Sequence, residues 1–395
     1  MIVVIADDMS GATEIAGIGW QFGMISQVQR RFKPGKEIEI LVVNTNTRSV
    51  EEDAARTTIE TLAHQISNTD ILWCYKKVDS VMRGHVCAEL EVLMRTLQKP
   101  RAVLAPANPS KGRTLVNGHY RIDNLPLHET DFVNDPQYPA TSSLVTDLLD
   151  VSRRYPILVL NHNTYQGHEK GIIVAEAERL EDLSHWATKV DQNTLAAGSS
   201  DFFSAVLEEK TGHKKMKSDS QVVHTVGPKL FVCGSASEYS RQAVKNARSF
   251  GIKVCPMPDP LLDNATPIRS LIDQWVEDVI DVLSADRQVI IAIPQPVVKD
   301  AQLAHKLCKY MATLVESVIG RATIRELILE GGATAEVVLS RLGWTTLKVL
   351  GEYGPGVVQL CMSVRENLLV TIKPGSYPWP EEIWNQPKKG VSYAK

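Results

Sequence analysis

Three groups of residues in this 395-residue chain have the types and spacing that chemistry needs. The first is an adjacent pair of acids, Asp7 and Asp8, inside the run Ala6-Asp7-Asp8-Met9-Ser10-Gly11-Ala12-Thr13-Glu14. The second mixes cations, an acid and a hydroxyl: Lys76, Lys77, Asp79, Ser80 and Arg83, joined by Arg48 from Thr45-Asn46-Thr47-Arg48-Ser49. The third is a pair of glycine turns with hydroxyls, Gly234-Ser235-Ala236-Ser237 and Gly331-Gly332-Ala333-Thr334. Carboxylates accept hydroxyl protons, and an arginine fork grips a carboxylate through two parallel bonds. Glycine lets the backbone approach an anion, and a helix N-terminus supplies free N–H groups at its positive end. Acids and cations in the first half suit a polyhydroxy acid, while glycines and hydroxyls in the second suit a nucleotide phosphate. Together they predict phosphoryl transfer across a domain cleft. Taken singly, each has an ordinary structural reading as well. Asp7 and Asp8 serve as turn formers and helix-start charges, Arg48 as a solvated arginine, and the glycines as packing residues.

The apolar pattern decides where these groups sit. Residues 2–5 read as a buried strand, followed by a helix led by Ile15, Ala16 and Ile18 with Ser10 as its N-cap. Residues 37–44 form a second strand ending before Arg48, and Ser49 and Glu52 have capping-box spacing for the next helix. A third strand over 71–75 runs into the Lys76–His85 loop and a helix over 86–97, and a fourth over 101–105 runs into Pro106–Thr114. Open α/β sheets bind ligands beyond the carboxyl ends of their strands, so all four loops are expected on one rim. Residues 120–155 lack a period and read as loop with a short helix near 142–149. Strands over 157–160, 171–175 and 196–199, with helices over 180–190 and on to 208, complete the first half.

Residues 209–227 mix Lys210, Lys214, Lys215 and Lys217 with Gly, Ser and Asp, which is linker composition. Beyond it, strands over 229–233, 252–255, 288–293, 326–329, 343–350 and 368–372 alternate with helices over 239–250, 268–283, 301–319 and up to 342. The expected class is α/β, with two domains at 1–215 and 226–395. Each is a mainly parallel sheet flanked by helices, with an active-site cleft between them.

Composition closes off other classes. A formal charge of −3 and a pI near 6.4 make no electrostatic case for nucleic acid or an anionic membrane. The N-terminus has no cationic leader and no apolar run reaches membrane-spanning length, so a cytoplasmic protein is expected. The six cysteines are dispersed without C-x-x-C spacing and read as buried hydrophobes in a reducing compartment. The ten histidines show no H-E-x-x-H or Cys/His cluster, so no structural zinc site and no metal ligands are expected. G-x-x-x-x-G-K-[ST] and G-x-G-x-x-G are both missing, which argues against a P-loop or a standard dinucleotide fold.

Eight stretches carry a resemblance: ADDMSGATE (Ala6–Glu14), NTNTRS (Asn44–Ser49), KKVDSVMRGHVCAEL (Lys76–Leu90), APANPSKGRT (Ala105–Thr114) with Gly118, VCGSAS (Val232–Ser237), GGATA (Gly331–Ala335), GPGV (Gly354–Val357) and KPGSYP (Lys373–Pro378). In these, and in their order, the chain resembles the four-carbon acid sugar kinase family, long described as a domain of unknown function. That family phosphorylates threonate, erythronate or 3-oxo-tetronate with ATP. The resemblance implies a sugar-acid-binding N-terminal domain and a nucleotide-binding C-terminal one. By position, Asp8, Arg48, Lys77, Asp79 and Arg83 would line the substrate site, with Asp7 beside them. Ser235, Gly331, Gly332, Thr334, Gly354, Gly356 and Gly375 would contact the nucleotide, and ATP and Mg²⁺ would be the cofactors. The partners are then a small sugar acid and ATP, without nucleic acid or membrane; a homodimer is one assembly to test.

The chain also departs from the family. Ala333 stands where an acid is usual, and KPGSYP replaces a stretch that usually runs serine, glycine, asparagine, phenylalanine, glycine. Glu14 stands where aspartate is common, and Val81-Met82 where threonine and leucine are. Three readings follow. In an ATP-dependent kinase, Asp8 or Asp79 accepts the hydroxyl proton while Arg48, Lys77 or Arg83 grips the substrate carboxylate. An altered family member would bind a sugar acid without ATP turnover. A nicotinamide oxidoreductase is the least supported.

Overall fold

The first strand, β1 (Ile2–Ala6), is wholly apolar, rich in β-branched residues and buried along its length, as a parallel strand covered on both faces must be. The computed structural model describes residues 1–135, 137–149, 154–216, 222–235, 238–249, 251–262, 268–293 and 300–384. The chain divides into two units, Met1–Lys217 and Ser218–Lys395.

In the N-terminal unit, β1 is followed by α1 (Met9–Gln21), β2 (Ser26–Gln29), β3 (Ile40–Asn44), α2 (Glu52–Ser67), β4 (Trp73–Lys77), α3 (Val86–Thr96) and β5 (Arg101–Ala105). A small antiparallel sheet follows, made of β6 (Arg113–Val116), β7 (His119–Ile122) and β8 (Leu125–Pro126). The unit ends with α4 (Val145–Leu148), β9 (Ile157–Leu160), β10 (Gly171–Ala175), α5 (Leu180–Ala187), β11 (Thr194–Gly198) and α6 (Ser200–Thr211). Its large sheet runs β2-β3-β1-β4-β11-β5-β10-β9, with every pairing parallel. Parallel pairing puts the carboxyl ends of β1, β3, β4 and β5 on one rim, so their four polar loops leave the sheet together.

The C-terminal unit contains β12 (Lys229–Cys233), α7 (Glu238–Ser249), β13 (Lys253–Pro256), α8 (Ile268–Asp286), β14 (Gln288–Ala292), α9 (Ala301–Arg321), β15 (Glu326–Glu330), α10 (Gly332–Arg341), β16 (Thr346–Gly354), β17 (Val357–Met362) and β18 (Arg365–Lys373). Its sheet runs β13-β14-β12-β15-β18-β17-β16. The first five strands are parallel, and β18, β17 and β16 close it as an antiparallel meander. Both units are therefore α/β with mainly parallel sheets. No helix among the described residues is long and apolar enough to cross a membrane.

Several local expectations are corrected. The N-cap of α1 is Asp8, not Ser10: the Asp8 carboxylate accepts from the Gly11 N–H at 2.9 Å, two residues before the hydroxyl of Ser10 could serve. Ser49 forms no capping box, because α2 begins after Glu51 and has no side-chain cap. Strands β2 and β17 were not expected, and residues 120–155 hold the β7–β8 hairpin as well as the short helix. Ala236, Ser237 and Phe250, residues 217–221 of the expected linker and part of 120–155 lie outside the described residues.

Candidate active site

Arg48 is the hub of the N-terminal rim. Its Nε lies 2.8 Å from Asp7 Oδ2, its Nη2 donates to Asp7 Oδ1 at 3.1 Å and Asp8 Oδ1 at 2.8 Å, and its Nη1 is 3.6 Å from Asp79 Oδ1. Residues from three loops thus meet on one guanidinium, as a rim of parallel strand ends predicts. The chain is shaped for this meeting. A Cβ on Gly11 would stand 2.8 Å from Asp8 Oδ1, so any larger residue would have to displace that carboxylate from its present position. Gly84 has φ +89°, and a Cβ there would press within 3.2 Å of Arg48 Cγ. Met82 in the same loop adopts φ +61°, an unusual conformation for a long side chain and a mark of strain held by its surroundings.

The adjacent lysines of β4 divide their roles. Lys76 forms a buried ion pair with Glu89 of α3 at 2.6 Å. Lys77 Nζ donates to the Val78 carbonyl at 2.9 Å and lies 3.8 Å from Glu14, beside Gly11 and the Asp8 loop. Asp79 accepts from Arg83 Nε at 2.9 Å, Arg83 Nη2 at 2.8 Å and the backbone N–H groups of Val81 and Arg83.

These contacts set protonation. Burial pushes the Asp79 carboxyl up, but Arg83 and Arg48 outweigh it and hold it far below the usual carboxylate range. Asp7 follows the same logic, with burial opposed by Arg48 and Lys76 and the net shift downward. Burial favours a neutral Arg48, yet Asp7, Asp8 and Asp79 keep its guanidinium charged. A carboxylate held that low is a weak proton acceptor, so Asp79 is better suited to orienting arginines than to taking a proton.

All six N-terminal candidates, Asp7, Asp8, Arg48, Lys77, Asp79 and Arg83, belong to this rim. One expectation changes: the arginine forks face protein acids, so neither stands open to grip a substrate carboxylate bidentately. Arg83 Nη1 is taken by Asp135 at 2.7 Å, and the Arg83 and Arg113 guanidinium carbons lie 5.5 and 5.6 Å from the centre of the Phe132 ring. Tyr138 donates its hydroxyl to the Arg48 carbonyl. Phe132, Asp135 and Tyr138 were missed because their segment has no period; a run of Asp, Asn and aromatics in a long loop was the available signal.

On the C-terminal rim the design differs. Gly331 has φ +90° and is the N-cap of α10 without a side-chain cap bond, so no N-cap side chain covers the first N–H groups of the helix. A Cβ on Gly375 would stand 2.5 Å from Ser235 Oγ, which brings the β18 and β12 loops into contact. The parallel register sets Cys233 against Glu330 and Glu330 against Lys373, and Val358 against Ile372 places the Gly354–Val357 turn at the same end. Two candidates have other duties. Thr334 is buried, with its hydroxyl under Gly234 and 3.7 Å from Cys308 Sγ. The Gly356 N–H donates to Glu352 at 2.6 Å. Ser235, Gly331, Gly332, Gly354 and Gly375 remain around the turns.

Lys373 and Glu330, both 0 % exposed, pair at 3.0 Å beneath this rim. Trp379 donates to Glu330 at 2.9 Å, Ser240 donates to its other oxygen, and Lys373 donates to the Pro374 and Tyr377 carbonyls at 2.7 and 2.6 Å. Such a pair is stable only because its remaining lone pairs and protons are satisfied. Neither residue was singled out from sequence, although each is a charge ending an apolar strand, the same signal that marked Asp7 and Lys77.

Comparison with known proteins fits this division. A family model of a sugar-binding N-terminal domain matches residues 2–206, and one of a nucleotide-binding C-terminal domain matches residues 230–377. The chain is 27 % identical to a D-threonate kinase of Salmonella typhimurium, over 90 % of this chain and 89 % of that one. It is 24 % identical to a 3-oxo-tetronate kinase of Actinobacillus succinogenes over 95 % and 96 % of the two chains. With a D-erythronate kinase of Heliobacterium modesticaldum it shares 26 % identity over 69 % of this chain and 64 % of the relative. Crystal structures of proteins from Salmonella typhimurium LT2 and Haemophilus influenzae share the fold, with TM-scores of 0.80 and 0.67 at 20 % and 19 % identity over 96 % or more of each chain. A sugar-binding half joined to a nucleotide-binding half over nearly the whole sequence is the defining organisation, and the chain belongs to the four-carbon acid sugar kinase family.

Proposed function

We propose that this protein transfers the γ-phosphoryl group of Mg·ATP to a hydroxyl of a small sugar acid of the four-carbon type, such as threonate, erythronate or 3-oxo-tetronate. The observation that carries the proposal is the Arg48-centred set of Asp7, Asp8 and Asp79 on the rim of the unit matching a sugar-binding domain. Carboxylates paired to an arginine are acceptors for the several hydroxyls of a polyol. Asp8 is the group assigned to the reacting hydroxyl, because Asp79 is committed to Arg83 and Asp7 to Arg48. Asp8 still has Ser10 Oγ at 2.6 Å on Oδ2, an exchangeable hydroxyl where a substrate hydroxyl can compete. Lys77 adds positive charge beside it for an anionic substrate.

The C-terminal turns fit a nucleotide. The uncapped start of α10 presents N–H donors, and the missing side chain at Gly375 opens the backbone between Ser235 and Gly331. Mg·ATP supplies the phosphoryl group and neutralises its charge. Magnesium takes most of its ligands from phosphate oxygens and water, so Ala333 in place of an acid is compatible with it. The chain's part is positioning and charge stabilisation.

The test is ADP release from Mg·ATP with a panel of four-carbon sugar acids. Release above background with at least one acid is expected, and none with any of them would reject the proposal. Asp8→Asn is expected to lower kcat by about 10² to 10⁴-fold, the range of a lost general base, while ATP affinity stays put. The second reading, a sugar-acid binder without turnover, is favoured by the occupied Gly356 N–H and by Ala333. Calorimetry showing sugar-acid binding but no Mg·ATP binding would establish it instead.

A further inference from the structure

We infer that His162, Asp182 and His185 form a binding site for a divalent transition-metal ion of the zinc class, separate from the phosphoryl-transfer site. One ligand atom from each residue lies within 4.8 Å of the other two. Around a tetrahedral zinc, ligands at about 2.0–2.1 Å stand roughly 3.3 Å apart, so closure asks for about 1.5 Å of side-chain movement at most. His185 is exposed and turns without disturbing the core. Two imidazoles and one carboxylate make a donor set for zinc, cobalt, nickel or copper rather than for magnesium.

The surroundings hold these ligands ready. Asp182 Oδ2 accepts the backbone N–H groups of Glu178 and Arg179, each at 2.9 Å. That anchoring turns Oδ1 toward His162 Nδ1, 3.8 Å away. Outer contacts of this kind orient a metal ligand. His162 sits in a turn closed by Asn161, whose Oδ1 accepts from the Asn163 and Thr164 N–H groups at 3.0 and 3.1 Å. The same turn packs on α5 through Tyr165 against Trp186, with ring centres 5.3 Å apart, and the Trp186 ring is itself held by its Nε1 donating to the Glu176 carbonyl after β10 at 2.9 Å. The loop and the helix are therefore fixed before any ion arrives. The His162 and His185 rings stack at 4.7 Å and 18°, so their edges share one side.

The sequence hid this site, since the histidines lie in different elements and make no zinc-type spacing; the expectation of no such cluster came from that absence. In the sheet, β9 is five strand spacings from β1, or about 24 Å at roughly 4.8 Å per strand. An ion there cannot touch a substrate held at Asp8. Its effect is to clip the loop after β9 to α5, with a fourth position left for water or an exchangeable ligand.

The experiment uses the full chain and the metal alone, without nucleotide or sugar acid, so its outcome is independent of the kinase reading. Zinc chloride is titrated by calorimetry, and cobalt(II) by visible absorption, which reports its coordination directly. One zinc per chain is expected, with cobalt absorption saturating at the same ratio. His162→Gln and His185→Gln should each weaken binding at least tenfold, with circular dichroism and melting temperature of the metal-free protein unchanged. Absence of binding, or equal affinity in both variants and the parent, would overturn the site.

Discussion

The two candidate rims are built by opposite means. On the N-terminal rim the work falls to charged side chains: Arg48 alone contacts three aspartates, and Arg83 engages a fourth acid from a distant loop. On the C-terminal rim the side chains are missing or withdrawn, with Gly331 and Gly375 exposing backbone while Lys373 and Glu330 stay buried underneath. A polyol acid is distinguished from its relatives by the direction of each hydroxyl, which only placed side chains can read. A phosphate chain is the same in every reaction and is held well enough by N–H groups at a helix end. On the proposed reading the N-terminal rim is where specificity can be retuned, while the C-terminal rim has no room for a side chain at Gly375.

Arg48→Lys probes the first half of that contrast most severely. Lysine keeps the charge but cannot span Asp7 and Asp8 with a fork. A loss of about 10³-fold in kcat/KM for the sugar acid is expected, about 4 kcal/mol, with KM for ATP moved less than about twofold. A fall below about tenfold would make the Arg48 cluster a structural network and leave the substrate site elsewhere.

Gly375→Ala tests the other rim. The new methyl would stand 2.5 Å from Ser235 Oγ and 3.1 Å from Ser235 Cβ. We expect KM for ATP to rise about tenfold, about 1.4 kcal/mol, with sugar-acid affinity unchanged. Adding Ser235→Ala should recover part of the loss by removing the struck oxygen. Equal damage to both substrates would instead mean that the two rims do not divide the labour.

A smaller effect separates the rims by pH. The folded carboxyl of Asp79 lies below its unfolded value: burial raises it, and Arg83 and Arg48 lower it further than burial lifts it. Between those values the unfolded chain binds the extra proton, so the stabilisation is complete above about pH 4 and drains away as pH falls below it. Urea midpoints at about pH 6 and about pH 3 should differ less in Asp79→Asn than in the parent. Removing one partner of the buried Lys373–Glu330 pair would leave an uncompensated charge, so substitutions there should lower stability.

Much of this arrangement was legible in the sequence, because a charge that ends an apolar parallel strand must emerge on the ligand rim. Asp7 after β1 and Lys77 closing β4 follow that rule, and the glycines after β15 leave the corresponding strand end of the C-terminal unit. What could not be read was which charges pair. Two lysines in a row look alike, yet Lys76 is spent on Glu89 while Lys77 reaches the Asp8 loop. Arg83 meets Asp135 across 52 residues, a contact no local pattern encodes. The missed β17 has the same origin: its partners lie in the antiparallel edge, while the alternation of strand and helix in the rest of the unit points to mainly parallel pairing.

Ala333 offers the mildest test and the one closest to the choice between turnover and mere binding. It is exposed in the first turn of α10, one residue past the start of the candidate phosphate cradle. An acid there would meet the positive helix end favourably, worth about 0.3–1 kcal/mol at an exposed site, and would not clash. It would also add negative charge where an anion is expected to bind. With magnesium served by phosphate oxygens and water, these effects nearly cancel, so Ala333→Asp should change kcat/KM for ATP by less than about threefold. Steady-state ADP release at saturating sugar acid measures this directly. A rise of about tenfold or more would show that the missing acid limits nucleotide handling in this chain.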